Sequence, residues 1–324
     1  MLQKLKIKDF ITLNGSIQEL QVTYEVFGQP LGTAPIVLVN HALTGNSTVT
    51  GKNGWWSNLI GPEKCIGTEQ YTILAFNIPG NGYDGFEIKN YRDFVAGDIA
   101  NVFLKALEQM EVSRLYAIIG GSLGGGIGWE MVALEPNITE YLIPIASDWK
   151  STDWLIANCR IQEQFLLNSS KPIHDARMHA MLCYRTPESF KARFHRSVNE
   201  ELGMFNIESW LLHHGKKLQG RFQLSAYKLM NQLLKTIDIR RDGEAVFQKI
   251  WESGVKVQMV GVDTDLFFLP GENIETLTPM NQNLKYAEIE SIHGHDAFLI
   301  EFEQLEEILA GIFKKEFADE RAKV

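Results

Sequence analysis

A chain of 324 residues with a formal net charge of −9 and a sequence pI near 5.5 lacks the basic face that a phosphate backbone requires, which excludes nucleic acid as a partner. Its three cysteines, Cys65, Cys159 and Cys183, share no CxxC spacing and are odd in number, a usage that fits free thiols in a reducing compartment better than a disulfide framework. The start MLQKLKIKDFITLNG alternates like a strand rather than a signal peptide, and no run spans a bilayer, so a cytoplasmic protein is expected, built as one large domain with an insertion or as two domains.

The first two predicted strands, KLKIKDFITL and SIQELQVTYEVFG, are joined by Asn14-Gly15, a hairpin signal. Short β-branched or apolar runs follow at 35–40 (PIVLVN), 71–78 (YTILAFNI), 114–120 (RLYAIIG), 141–147 (YLIPIAS), 255–262 (VKVQMVGV) and 285–291 (KYAEIES), each bounded by turn residues. Helical patterns at 91–110 and 297–315 alternate with them, as in a mostly parallel sheet covered on both faces. The alternation stops between about 148 and 245, where the chain reads as helical. The expected organisation is therefore an α/β core from 1–147 and 246–324 with a helical cap, 148–245, over the C-terminal strand ends, where α/β folds bind ligands. The charged KKEFADERAKV reads as a tail. Gly80-Asn81-Gly82-Tyr83-Asp84-Gly85 fits GxGxxG, but its helix starts late and its strand is not first in a βαβ unit, so it reads as a loop.

Gly120-Gly121-Ser122-Leu123-Gly124 fits GxSxG between a predicted strand and a predicted helix, the context of a nucleophile elbow. A serine on so sharp a turn takes a strained backbone, and side chains two residues to either side would clash. Such a serine needs a base and an acid that orients the base, in chain order Ser, Asp/Glu, His. Asp263 and Asp265 follow the strand at 255–262; His293, His295 and Asp296 follow the strand at 285–291. His295 is the expected base, because Gly294 bends the loop before it and a helix starts after it. HxH without a third ligand is a poor metal site, and no cofactor is expected. The backbone N–H groups of Leu123 and of Leu43, in the loop NHALTGN, are candidates for the oxyanion hole, with His41 shaping that loop.

The stretches NHALTGN, GWWSNLIGPEKCIGTEQYTILAFNIPG, GGSLGGG, YRTPESFKARF, FNIESWL, GVDTDLFFLP and GHDAF, spread over residues 34 to 313, resemble the homoserine O-acetyltransferase family of α/β-hydrolase-fold enzymes. The resemblance implies an acetyl-CoA-dependent, ping-pong acyl transfer to homoserine, a step of methionine biosynthesis, by a homodimer paired through the cap. It implies Ser122 as acylated nucleophile, His295 as base, Asp265 rather than Asp263 as acid, Asp296 as receiver of the substrate amino group, and Tyr184 in the substrate pocket. The family's carboxylate-binding arginine is expected on the first cap helix, where alignment places Glu163; Arg160, three residues earlier on the same face, is the expected substitute. An esterase or thioesterase using water is the alternative, and a silent fold acting as a receptor is the reading the intact Ser, His and Asp set argues against.

Overall fold

In the computed structural model, which describes residues 1–241, 243–272 and 283–313, the chain opens with β1 (Gln3–Ile11) and β2 (Ile17–Gly28), paired antiparallel. Gly15 closes their turn with φ +87°, its N–H donating to Thr12 O at 2.8 Å. Next come β3 (Ile36–Asn40), the two-residue pair β4 (Ile60–Gly61) and β5 (Ile66–Gly67), β6 (Thr72–Phe76), α1 (Ala96–Gln109), β7 (Leu115–Gly121), α2 (Leu123–Leu134) and β8 (Thr139–Ile145). The segment read as one helix over 91–110 is a 3-10 turn, Tyr91–Asp93, and then α1, because Val95 is extended.

After β8 the chain runs through α3 (Asp153–Asn168), α4 (Pro172–Tyr184), α5 (Pro187–Phe194), the short antiparallel pair β9 (Val198–Asn199) and β10 (Met204–Phe205), α6 (Asn206–Gln219), α7 (Leu224–Lys235) and α8 (Ala245–Glu252). Strands β11 (Lys256–Val262) and β12 (Leu284–Ile289) and helix α9 (Phe302–Phe313) complete the described residues; the charged tail from 314 lies outside them. The main sheet has the order β1-β2-β6-β3-β7-β8-β11-β12, parallel from β6 onward.

The central parallel strands β3, β6 and β7 are buried on both sides, and their period of two divides the core. In β3, Leu38 faces α1 and α2 together with Leu74, Ile118 and Leu142, whereas Val37 and Val39 face Trp56, Phe298, Leu305 and Leu309 on the other side. The helices between β8 and β11 reach the loops that leave the carboxyl ends of the strands. Arg221 meets Thr44 after β3, Leu229 and Ala226 lie over Gly80 and Gly82 after β6, and Thr186 Oγ1 donates to Ile292 O after β12 at 2.5 Å. The GxGxxG segment is a loop beneath these helices. No described helix is long and apolar enough to cross a membrane. Cys65 and Cys159 are buried and in no disulfide, and burial pushes Cys159 up to about 12, out of reach as a thiolate near neutral pH.

Candidate active site

Between the end of β7 and the start of α2, Ser122 has φ 55° and ψ −126°, a conformation costing about 1–3 kcal/mol that the surrounding packing imposes. Two glycines make that packing possible. A Cβ on Gly120 would lie 2.4 Å from the Gly124 carbonyl carbon, and one on Gly124 would lie 2.3 Å from Asn40 O. The elbow thus presses directly against the end of β3. Ser122 N donates to Ile145 O at 2.9 Å, fixing the turn to the neighbouring strand.

Ser122 Oγ lies 3.0 Å from His295 Nε2, and His295 Nδ1 lies 2.8 Å from Asp265 Oδ2. An ionised carboxylate only accepts, so Nδ1 carries the proton and Nε2 is left to accept from the serine hydroxyl. All three residues are buried. The other oxygen of Asp265 accepts from Phe267 N (2.7 Å) and Phe268 N (3.0 Å), which sets the carboxylate in one orientation. Asp263, two residues earlier, is exposed and accepts from Ser291 N at 2.9 Å; it braces the loop rather than touching the imidazole.

His295 sits in a 3-10 turn, Gly294–Leu299, and the regular helix begins only at Phe302; the expected helix immediately after the histidine is therefore displaced. Gly294, at φ +65°, passes 3.1 Å (as an added Cβ) from Tyr184 O. The imidazole is boxed by Tyr184, Phe267, Phe268 and Phe298, with ring centroids 5.1–5.6 Å away. These rings pack around the imidazole, which is 3% exposed. His293 lies outside the box, where Ser189 Oγ is 3.1 Å and Arg185 Nη1 3.3 Å from its Nδ1. Among the described residues no group of three His, Cys, Asp or Glu side chains could hold a metal ion.

Leu123 is the first residue of α2, so its N–H has no acceptor four residues back. Leu43 lies in the loop after β3, against which Gly124 packs; that loop is closed by Gly45 N donating to Ala42 O at 2.9 Å. His41 holds the loop from below. Its Nδ1–H donates to Ala42 O (2.8 Å), and its Nε2 accepts from Ile78 N (3.1 Å). Burial pushes this imidazole down to about 4, against the raising effect of the Ala42 bond.

A neutral His41 has a consequence for stability. The unfolded chain protonates it near pH 6.5 and the folded chain only near 4, so its contribution is complete above about pH 6.5 and is lost as pH falls toward 4. The loss is on the order of 3 kcal/mol. Thermal midpoints measured from pH 7 to 4 should therefore fall less steeply for His41→Gln than for the wild type; parallel curves would exclude His41 as a source of acid sensitivity.

The pocket residues expected from the sequence divide into two groups. Asp296 and Tyr184 are beside His295. Asp296 Oδ2 accepts from Arg185 Nε at 2.9 Å, and both side chains are mostly buried. Glu163 and Arg160 pair with each other: Arg160, 64% exposed at its side chain, binds Glu163 Oε2 at 2.7 Å, while Arg92 binds Oε1 at 3.1 Å. Burial raises the Glu163 carboxyl, but its bonds to Arg160 and Arg92 outweigh that and hold it below its usual range. Glu163 is thus not an unopposed acid in the pocket, and Arg160 is already committed to it.

Besides Arg185, a second cation near the triad that sequence reasoning passed over is Arg177. Its guanidinium lies 5.5 Å from the Tyr184 ring centre, and that ring lies 5.3 Å from the His295 ring. Arg177 forms no ion pair among the described residues. Tyr184 feels both Arg177 and Asp296: burial, then Tyr227, raise its hydroxyl, Arg177 opposes them, and Asp296 adds to them. The available signal was spacing. Arg177 and Tyr184 are seven residues apart on α4, two turns along one face.

A mostly parallel eight-stranded sheet with a strained serine between strand and helix, and an acid and a histidine after later strands, defines an α/β-hydrolase-fold enzyme. A family model described as the alpha/beta hydrolase fold matches residues 35–153. The chain is 31% identical over 324 residues to homoserine O-acetyltransferase of Cyclobacterium marinum, covering 92% of this chain and 90% of that one. It is 29% identical to that of Moorella thermoacetica, covering 91% of each. The chain belongs to the homoserine O-acetyltransferase family. In fold it matches homoserine O-acetyltransferase from Staphylococcus aureus with TM-score 0.84 (24% identity, 98% of this chain and 96% of that one) and esterase E22 with TM-score 0.84 (19% identity, 97% and 100%). The protein is accordingly an acyltransferase of this family or a related esterase of the same fold.

Proposed function

We propose that the protein transfers an acetyl group from acetyl-CoA to the hydroxyl of homoserine through an acyl-enzyme on Ser122. The observation that supports this reading is that charges of both signs lie near the triad: Arg177 is 5.5 Å from the Tyr184 ring beside His295, and Asp296, next to His295 in the chain, meets Arg185 at 2.9 Å. Charges of both signs suit a zwitterionic amino acid as acceptor. In the first half-reaction His295 Nε2 takes the Ser122 proton as Oγ attacks the thioester carbonyl. The Leu43 and Leu123 N–H groups face the oxyanion, and the thiolate leaves with the proton from His295. In the second, Nε2 takes the homoserine hydroxyl proton, the alkoxide attacks the acetyl carbonyl, and Ser122 recovers its proton as O-acetylhomoserine departs. Asp265 keeps the imidazole in the required tautomer.

In this reading Arg177 receives the acceptor carboxylate, and Arg160 and Glu163 brace α3 against the Tyr91–Asp93 turn. Arg177→Ala should raise the homoserine KM roughly ten- to a hundredfold, the equivalent of a charge-assisted bond of about 1.5–3 kcal/mol, while Arg160→Ala leaves it nearly unchanged. CoA release with homoserine, and with 3-amino-1-propanol, which lacks the carboxylate, tests this: a wild-type preference for the amino alcohol would sink the homoserine assignment. The division into a core and a cap of 148–245, with a homodimer formed through the cap in the cytoplasm, belongs to the same proposal. In support, the helices between β8 and β11 expose Ile161, Leu167 and Leu182. Sedimentation showing a strict monomer at micromolar concentration would remove the dimer from it.

A further inference from the structure

The helices between β8 and β11 carry a charge opposite to that of the rest of the chain. Residues 169 to 228 hold ten Lys and Arg against five Asp and Glu, a formal +5; the whole chain is −9, so the remainder is −14. The basic groups converge on one side of α4 and α6. Burial first, and then the charges of Arg177, His213, Lys217 and Arg185, push the His214 imidazole down to about 4. Arg221 Nη1 donates to Thr44 O at 3.2 Å, next to Leu43, and burial followed by the charge on Arg177 lowers its guanidinium. Arg177, Lys171, Lys216, Lys217 and Arg221 form no ion pair among the described residues.

A cavity of about 570 Å³ opens where the start of α4 meets the end of α6, lined by Lys171, His174, Leu212, Lys216, Gln219 and Gly220. The His174 ring packs against Gly215, where a Cβ would come within 2.6 Å of it, so the two helices are in close contact at this point. From His174 the basic track continues one turn along α4 to Arg177, and two turns further to Tyr184 beside His295. Thirteen residues at 1.5 Å each separate Lys171 from Tyr184, roughly 20 Å. A ligand that reaches from this cavity to Ser122 must be long, anionic at its outer end and reactive at its inner end.

We infer that the cavity between α4 and α6, with Lys171 and Lys216 on its wall, docks the phosphate-bearing end of the acyl donor while its neutral arm runs past Arg177 to the serine. The inference rests on the acyl-CoA reading above and adds to it the place of the nucleotide. The cations act twice, raising the local concentration of a polyanion around an otherwise acidic protein and then pairing with its phosphates.

The test compares acetyl-CoA with S-acetyl-N-acetylcysteamine, the same thioester without phosphates, in the full-length wild type and in the double variant Lys171→Glu, Lys216→Glu. The KM for acetyl-CoA should rise roughly tenfold or more in the variant, and its increase with added salt should be shallower than in the wild type, because fewer attractive charges remain to be screened. Turnover of the phosphate-free thioester should match the wild type, which also shows that the variant folds. An equal loss with both donors, or an unchanged KM and salt response for acetyl-CoA, overturns the docking site while leaving the transferase reading in place. A wild type that accepts the short thioester but does not saturate with acetyl-CoA overturns both.

Discussion

Ser122→Ala should abolish acyl transfer, with a loss on the order of 10⁴-fold or more, while leaving the protein folded. Only Oγ is removed, and that atom is the sole side-chain contact of Ser122 with His295. Alanine meets the same φ of 55° with the same Cβ, so the elbow's backbone strain is unchanged. Losing the nucleophile of such a set removes the covalent route entirely and leaves only what oriented amides and binding supply. Brief exposure to acetyl-CoA followed by peptide mass spectrometry should find an acetyl group on the peptide holding Ser122 in the wild type and none in the variant. Substantial residual turnover would mean that the serine does not carry the acyl group.

Asp265→Asn should cost about 10⁴-fold in the acylation rate. The two backbone donors, Phe267 N and Phe268 N, demand an oxygen at the Oδ1 position, so an asparagine would place its amide nitrogen where Oδ2 now accepts from His295. A donor there forces Nδ1 to accept, which puts the ring proton on Nε2, facing Ser122, where no base then remains. Asp263→Asn keeps an oxygen for Ser291 N and should change the rate little. Single-turnover acylation of the two variants separates them; equal damage would detach the rate from the tautomer.

How much of this was legible in advance follows from the range of the interactions. The six runs from residue 35 onward were readable because the central strands β3, β6 and β7 are covered on both faces and so almost wholly apolar, and the structure has strands at each of the six. The elbow was readable because its motif is local, Gly120, Ser122 and Gly124 falling within five residues, although the contact that demands Gly124 comes from Asn40 of β3. The 3-10 turn holding His295 was not, since the apolar period of the following segment is helical although the regular helix waits until Phe302. Choosing between Asp263 and Asp265 depends on a contact 30 residues away, and spacing within a loop does not encode it. The fate of Glu163 depends on Arg92, 71 residues earlier, and Arg177 is brought to the site only by the way α4 lies across the end of the sheet. Charge at a given position was visible; its partner was not.

The most direct test of the central claim is the fate of the acetyl group, followed by mass as the wild type turns over acetyl-CoA with and without homoserine. With Arg177 and Asp296 receiving the acceptor, homoserine should accelerate CoA release and the acetyl group should be recovered as O-acetylhomoserine, with free acetate a minor product. CoA release at one rate with or without homoserine, and acetate as the main product in both, would show that water is the acceptor and that the enzyme is an esterase of this fold.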